Sequence, residues 1–174
     1  MLRSFAAVVV VLLSACSGTR STPASPGGGT ATVLRNVDGD TVDVDIDGVE
    51  ESIRLIGIDT PETVSPSRPV ECFGPEASAR ANELLPAGTV VRLERDVEAR
   101  DRYGRLLAYV YRDRDGTLVN LLLVEEGYAA ASPFPPNTVH QAAFDRAEAE
   151  AKANGRGLWP VCGGTDTPVG PPPG

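Results

Sequence analysis

Ile53-Arg54-Leu55-Ile56-Gly57-Ile58-Asp59-Thr60-Pro61-Glu62 is an apolar run broken once by an arginine and closed by two acids around a proline. Its aliphatic residues predict a strand over 51–58. Arg54 must pair with a carboxylate or reach water along its stem, because an unpaired charge inside a sheet is costly. Pro61 stiffens the turn that follows. One of the two acids at the strand's end can bind a metal ion while the other activates water.

Upstream, 41–47 alternates strictly: Val42, Val44 and Ile46 face one way, Asp43, Asp45 and Asp47 the other. This is a half-buried strand with a solvated acidic face. Asp47-Gly48 turns it into the strand at 51–58 as a hairpin. Before it, Asp38-Gly39-Asp40-Thr41 sets two carboxylates around a glycine at a strand entrance. Glycine allows a sharp turn that projects both acids to a rim, and hard oxygen donors of this kind suit calcium. A further strand covers 31–37. Asp43 to Gly48 also matches the first half of an EF-hand loop, but Arg54 occupies the position where that loop needs a bidentate glutamate. The EF-hand reading is rejected.

Downstream, 90–95 and 106–112 read as two more strands. Helices are predicted over 76–85, led in by Pro75, over 118–126, closed by Gly127, and over 139–154, stopped by Gly155. Asp101-Arg102-Tyr103-Gly104-Arg105 precedes the last strand and offers a guanidinium that can grip phosphate in two-pronged fashion. Five strands with about three short helices predict a mainly β domain with capping helices, a five-stranded β-barrel of the OB-fold. No internal repeat is present.

The ends read differently. Arg3 and the apolar run 5–13, too short to span a bilayer, form an export signal over residues 1–15. Leu13-Ser14-Ala15-Cys16 looks like a bacterial lipobox, which implies cleavage before Cys16 and lipid on its thiol; an ordinary signal peptide cut near Ala15 is the alternative. The protein is therefore expected outside the cytoplasm, anchored to the membrane's outer surface through Cys16 or released. Residues 16–30 form a Ser/Thr/Gly/Pro tether, residues 31–162 the domain, and residues 163–174 a Gly/Pro-rich tail expected to be disordered. Of three cysteines, Cys72 and Cys162 remain to pair if Cys16 is lipidated. Outside the cytoplasm their disulfide would persist; two independent buried thiols are the alternative. The formal net charge of −8 argues against a passive nucleic-acid binder, since phosphate contacts favour basic surfaces. It does not exclude an enzyme that works through a metal ion and a few arginines.

The segments "DGDTV", "IRLIGIDTPE", "FGPEAS", "DRYGRLLAYVY", "LVNLLLVEEG" and "GLW", in this order and spacing across 31–160, resemble the staphylococcal nuclease family. The resemblance implies an OB barrel that hydrolyses DNA and RNA with Ca2+ as cofactor and leaves 5′-hydroxyl and 3′-phosphate ends. By the same resemblance, Asp40 and Asp59 would bind calcium through carboxylate oxygens and Thr60 through its carbonyl. Asp38 would orient the water beside the ion. Glu62 matches the general base, Arg54 and Arg105 the pair that grips the scissile phosphate, and Tyr103 lines the nucleotide pocket. Ser132 and Phe134 stand where the family has stacking tyrosines, so Phe134 can stack on a base but offers no hydroxyl. His140 is expected on the surface near a helix start, without a catalytic role. Trp159 is expected to pack the C-terminal segment against the barrel. A monomer is expected. The alternative to an enzyme is a catalytically weak OB domain of this family that binds nucleic acid or calcium at the surface.

Overall fold

A computed structural model of the chain describes residues 28–63 and 69–169. The signal segment, Cys16 and most of the tether lie outside the described residues.

Strands β1 (Thr30–Asn36), β2 (Thr41–Ile46), β3 (Val49–Leu55), β5 (Val90–Glu94) and β6 (Leu106–Arg112) close into a barrel in the order β1-β2-β3-β6-β5. All neighbours are antiparallel except β3 and β6, which run parallel. This is the expected OB-type barrel. Alternation fills it: Val33, Val42, Val44, Ile53, Leu55, Val91 and Leu107 are buried side chains of its core. The β2–β3 hairpin turns through Asp47 and Gly48, both at positive φ, the backbone that a two-residue turn requires. Asp45 accepts the Gly48 amide at 3.0 Å, so these acids build the hairpin and not an EF-hand. The outer face of β2 is not wholly solvated as expected, because Asp43 is buried beneath an ion pair with Arg35.

The decisive stretch does not remain one strand. β3 ends at Leu55, and Ile58–Asp59 forms a separate short strand, β4, paired with β7 (Ala130–Ala131). Gly57 causes the break. It sits at φ 82 against the ring of Phe144, where a Cβ atom would overlap the ring. That close approach seats α3 (Gln141–Ala153) on the barrel. α1 (Gly74–Leu84) begins with Pro75 in its first turn. α2 (Val119–Glu125) carries Asn120, fully buried, whose Oδ1 accepts the Val110 amide at 2.9 Å and whose Nδ2 donates to the Ile56 carbonyl at 3.0 Å. Asn120 thus satisfies backbone groups freed where the β3–β6 ladder ends. A fourth short helix, α4 (Trp159–Cys162), follows.

Three expectations change at the C-terminal side. Residues 163–169, expected to be disordered, run back beside residues 70–72: the Cys72 amide donates to the Thr167 carbonyl at 2.6 Å, and the Val169 amide to the Val70 carbonyl at 3.1 Å. Residues 170–174 lie outside the described residues. His140 precedes α3 as expected but is half-buried rather than freely exposed, packed edge-on to Tyr109 and within hydrogen-bond distance of Glu94 at 3.0 Å. Trp159 lies under Lys152 of α3, and the neighbouring Leu158 is the residue that buries. The Cys72–Cys162 disulfide is present, closing a separation of 90 residues.

Candidate active site

The β1–β2 turn, the end of β3, β4 and the loop before β6 meet at one rim of the barrel. There Asp38, Asp40, Arg54, Asp59, Thr60, Pro61, Glu62 and Arg105 line a cleft of about 250 Å³. Every residue expected to do catalysis or bind metal is brought to this single place, from four separate parts of the chain.

Arg54 is paired, which answers the question its sequence position raised. Its Nη2 lies 3.1 Å from Asp40 Oδ2 and 3.6 Å from Asp59 Oδ1, and its Nη1 donates to the Leu55 carbonyl at 2.6 Å. Asp40 is held from several sides. Its Oδ2 accepts the Thr60 amide at 3.2 Å and its Oδ1 accepts the Thr41 hydroxyl at 3.2 Å. Its own amide donates to Asp38 Oδ1 at 3.1 Å, and its carbonyl accepts the Leu55 amide at 2.9 Å.

Arg105 is aimed by Asp101: Nε donates to Oδ2 at 2.8 Å, and the Arg105 amide donates to Oδ1 at 3.0 Å. Its Nη1 reaches the Thr41 hydroxyl at 3.3 Å, so Thr41 links the second arginine to Asp40. Glu62 accepts the Thr63 amide at 2.9 Å, and its own amide donates to Glu71 Oε2 at 2.8 Å.

The acids crowd one another. Burial, and then the charge of Asp40, pushes Asp38 up to about 6. Burial and Asp40 also raise Asp59, against the opposing pull of Arg54. Buried carboxylates whose negative charge is only partly offset are what a divalent cation relieves. Among the described residues no group of three or more His, Cys, Asp or Glu is arranged to hold a metal ion by itself. The carboxylates of Asp40 and Asp59, which share the cleft, are oxygen donors of the type a hard cation takes.

Next to this cleft lies a second, of about 440 Å³, lined by Arg100, Arg102, Tyr103, Arg105, Phe134 and neighbouring residues. Tyr103 is exposed and lies under the guanidinium of Arg102, 4.7 Å from its ring centroid. Phe134 is half-buried and packs against the core. The two residues expected to contact nucleotide thus share one depression, and Arg105 belongs to both clefts. Buried Asn137 ties the two walls together, donating to the Glu98 carbonyl at 3.1 Å and accepting its amide at 2.7 Å.

Sequence reading passed over Thr41, Glu71, Asp101 and Asn137 as parts of the site. Asp101 and Thr41 stand within quoted motifs, where spacing to Arg105 and Asp40 was the available signal. Glu71 and Asn137 act through backbone groups far along the chain, which no local pattern announces.

Residues 52–161 match the family described as staphylococcal nuclease homologue. The thermonuclease of Staphylococcus intermedius is 42% identical over 127 residues, which cover 73% of this chain and 74% of that protein. The thermonuclease of Staphylococcus hyicus is also 42% identical over 127 residues, covering 73% of each. Endonuclease YncB of Bacillus subtilis (strain 168) is 41% identical over 134 residues, covering 76% of this chain and 62% of that protein. With its barrel, its clustered rim of acids and arginines and these relatives, the chain belongs to the staphylococcal nuclease family.

Proposed function

We propose that this protein is an exported, calcium-dependent nuclease that hydrolyses phosphodiester bonds of DNA and RNA as a monomer, leaving 5′-hydroxyl and 3′-phosphate ends. The observation that carries the reading is the convergence of Asp40, Asp59, Arg54, Glu62 and Arg105 on one cleft that adjoins the aromatic depression of Tyr103 and Phe134.

Each residue has a task that its surroundings prepare. Tyr103 and Phe134 receive bases by stacking, which tolerates sequence. Arg54 and Arg105 bind the non-bridging oxygens of the phosphate beside them. A guanidinium carries five N–H donors, so the contacts that aim each arginine leave others for phosphate. Glu62 accepts a proton from water as the water oxygen bonds to phosphorus. The bond from phosphorus to the 5′ oxygen then breaks, that oxygen takes up a proton, and the 3′ oxygen keeps the phosphate. Asp40, Asp59 and the Thr60 carbonyl would hold calcium, with Asp38 orienting nearby water. Calcium, when bound, supplies positive charge against the negative charge that develops on the phosphoryl oxygens. The two fixed arginines act in the same sense and need no reorganisation during the reaction.

Export is supported by the apolar leader, by Cys16 in its lipobox-like setting, and by a disulfide of the kind that persists in oxidising compartments. Labelling of the expressed protein with radioactive palmitate, compared with Cys16→Ala, tests the anchor.

Digestion of single-stranded DNA by the full chain is the test of the activity, with calcium, with chelator and with Glu62→Ala. Cleavage that needs calcium and falls sharply in the variant is expected. A folded, disulfide-intact protein that leaves the DNA whole would point instead to a binding module, for which calcium-dependent melting is the next measurement.

A further inference from the structure

The peptide unit between Gly104 and Arg105 is gripped on both sides. Its amide, that of Arg105, donates to Asp101 Oδ1 at 3.0 Å, and its carbonyl, that of Gly104, accepts from Arg100 Nη1 at 2.6 Å. A peptide unit is planar, so holding both of its polar groups fixes the plane from which the Arg105 side chain leaves. Gly104 sits at φ 86, and its own amide donates to the Asp101 carbonyl at 3.0 Å. The Asp101 contacts lie within the turn itself, whereas Arg100 reaches out of it.

The outward link runs to β3. Arg100 Nη1 also donates to Glu51 Oε2 at 2.9 Å, and Nη2 donates to Oε1 at 2.7 Å, the two-pronged form of an arginine–carboxylate pair. The register explains why a side-chain link stands there. β3 and β6 pair only from Ile53 with Leu106 to Leu55 with Ala108. Continued backward, that parallel register sets Glu51 level with Gly104, before the first paired residues. The Glu51–Arg100 pair makes the connection to the Gly104 carbonyl that the backbone ladder does not. Glu51 is itself fixed to the barrel, opposite Val44 of β2. The hydrogen bonds from Arg100 hold its carboxyl below the usual glutamate range. Among the described residues Glu51 lines neither cleft, while Arg100 lines the aromatic depression.

We propose that Glu51 and Arg100 are positioning residues for hydrolysis: together they moor the 101–105 turn to β3 and so fix the direction from which Arg105 meets the scissile phosphate. This deepens the nuclease reading and rests on it. Asp101 aims the guanidinium within the turn, and the Glu51–Arg100 pair sets the turn against the strand that carries Arg54. Both are needed, because a misplacement of about 1 Å at a reacting group can cost about 100-fold in rate. A pair this close to solvent adds little to folding, so its loss should be read in catalysis and not in melting.

The experiment compares the full chain with Glu51→Ala, Arg100→Met, Arg105→Ala and the double variant Glu51→Ala/Arg105→Ala. Three quantities are measured: kcat and KM on single-stranded DNA with calcium, thermal melting, and amide hydrogen exchange of the DNA-free protein. Glu51→Ala is expected to lower kcat by about tenfold, with KM and melting close to wild type and faster exchange at the Arg105 amide. Arg100→Met, which keeps the aliphatic stem, is expected to match it. In the Arg105→Ala background, Glu51→Ala is expected to cause no further loss, since the pair acts through that arginine. Wild-type kcat in Glu51→Ala, or an equal loss with and without Arg105, would overturn the mooring while leaving the nuclease intact. So would a rise in KM alone in Arg100→Met, which would make Arg100 a nucleotide contact instead. A wild-type chain that leaves the DNA whole would overturn the nuclease reading and the positioning role with it, whereas unchanged exchange at the Arg105 amide in Glu51→Ala would overturn the mooring in either case.

Discussion

Arg54 and Arg105 are held by different means, and the difference sets what each substitution should do. Arg54 lies between two acids inside the barrel rim. Arg105 is aimed by a single acid on its own loop, Asp101. Arg105→Ala is expected to raise the barrier to hydrolysis by at least about 3 kcal/mol, by analogy with removal of an oxyanion donor. Steady-state kcat/KM checks this, and a rate near wild type would remove Arg105 from the mechanism. Asp101→Asn keeps the arginine but loosens its aim, so a smaller loss of kcat is expected.

Asp101 also carries a pH signature. Burial alone would raise its carboxyl, but the Arg105 guanidinium and the amides of Arg105 and Tyr103 outweigh it and hold the group below its ordinary 3.8. A carboxylate depressed in the folded state contributes stability that is full above the unfolded value and is lost as pH falls through the folded one. Denaturation of wild type and Asp101→Asn from pH 6 down to pH 2 should therefore converge at the acid end. A gap that widens toward low pH would contradict the assignment.

At the scale of elements, the site depends on where strands stop. β3 must end at Leu55 so that β4 can turn Asp59 toward Asp40, and the backbone groups left at the break need partners. Asn120 supplies them from α2, reaching the Ile56 carbonyl and the Val110 amide. Asn120→Ala leaves buried polar groups unpaired and is expected to cost about 2 to 3 kcal/mol of stability. Urea denaturation measures this, and a loss below about 0.5 kcal/mol would mean that the break is satisfied in another way.

For the whole molecule, the long disulfide ties the C-terminal segment to the loop next to α1 across 90 residues. By the loop-entropy relation its removal should destabilise the protein by about 4.6 kcal/mol. Denaturant titration of the Cys72→Ser/Cys162→Ser variant tests this against wild type, and equal midpoints would show that packing alone holds the segment.

Much of this architecture was legible in the sequence because its physics is local. Strict alternation defined β2, Asp47-Gly48 its hairpin, and Pro75 and Gly127 the limits of two helices. The motifs named the acids and arginines of the site, because their chemistry is carried by residue type and spacing within a few positions. Tertiary structure alone decided the rest, where the governing contact lies far along the chain. The ring of Phe144 above Gly57 splits an apparently continuous strand. His140 is half-buried by its contacts with Tyr109 and Glu94. Residues 163–169 have a composition that argues for disorder, yet the neighbouring Cys72–Cys162 disulfide and two backbone bonds to residues 70–72 order them. Residue type therefore named the candidate acids and arginines, and the nearby Asp101 aims Arg105, while contacts farther along the chain decided how Asp40, Arg54 and Asp59 face one another. Direction at a site depends on neighbours that only closure of the chain brings together.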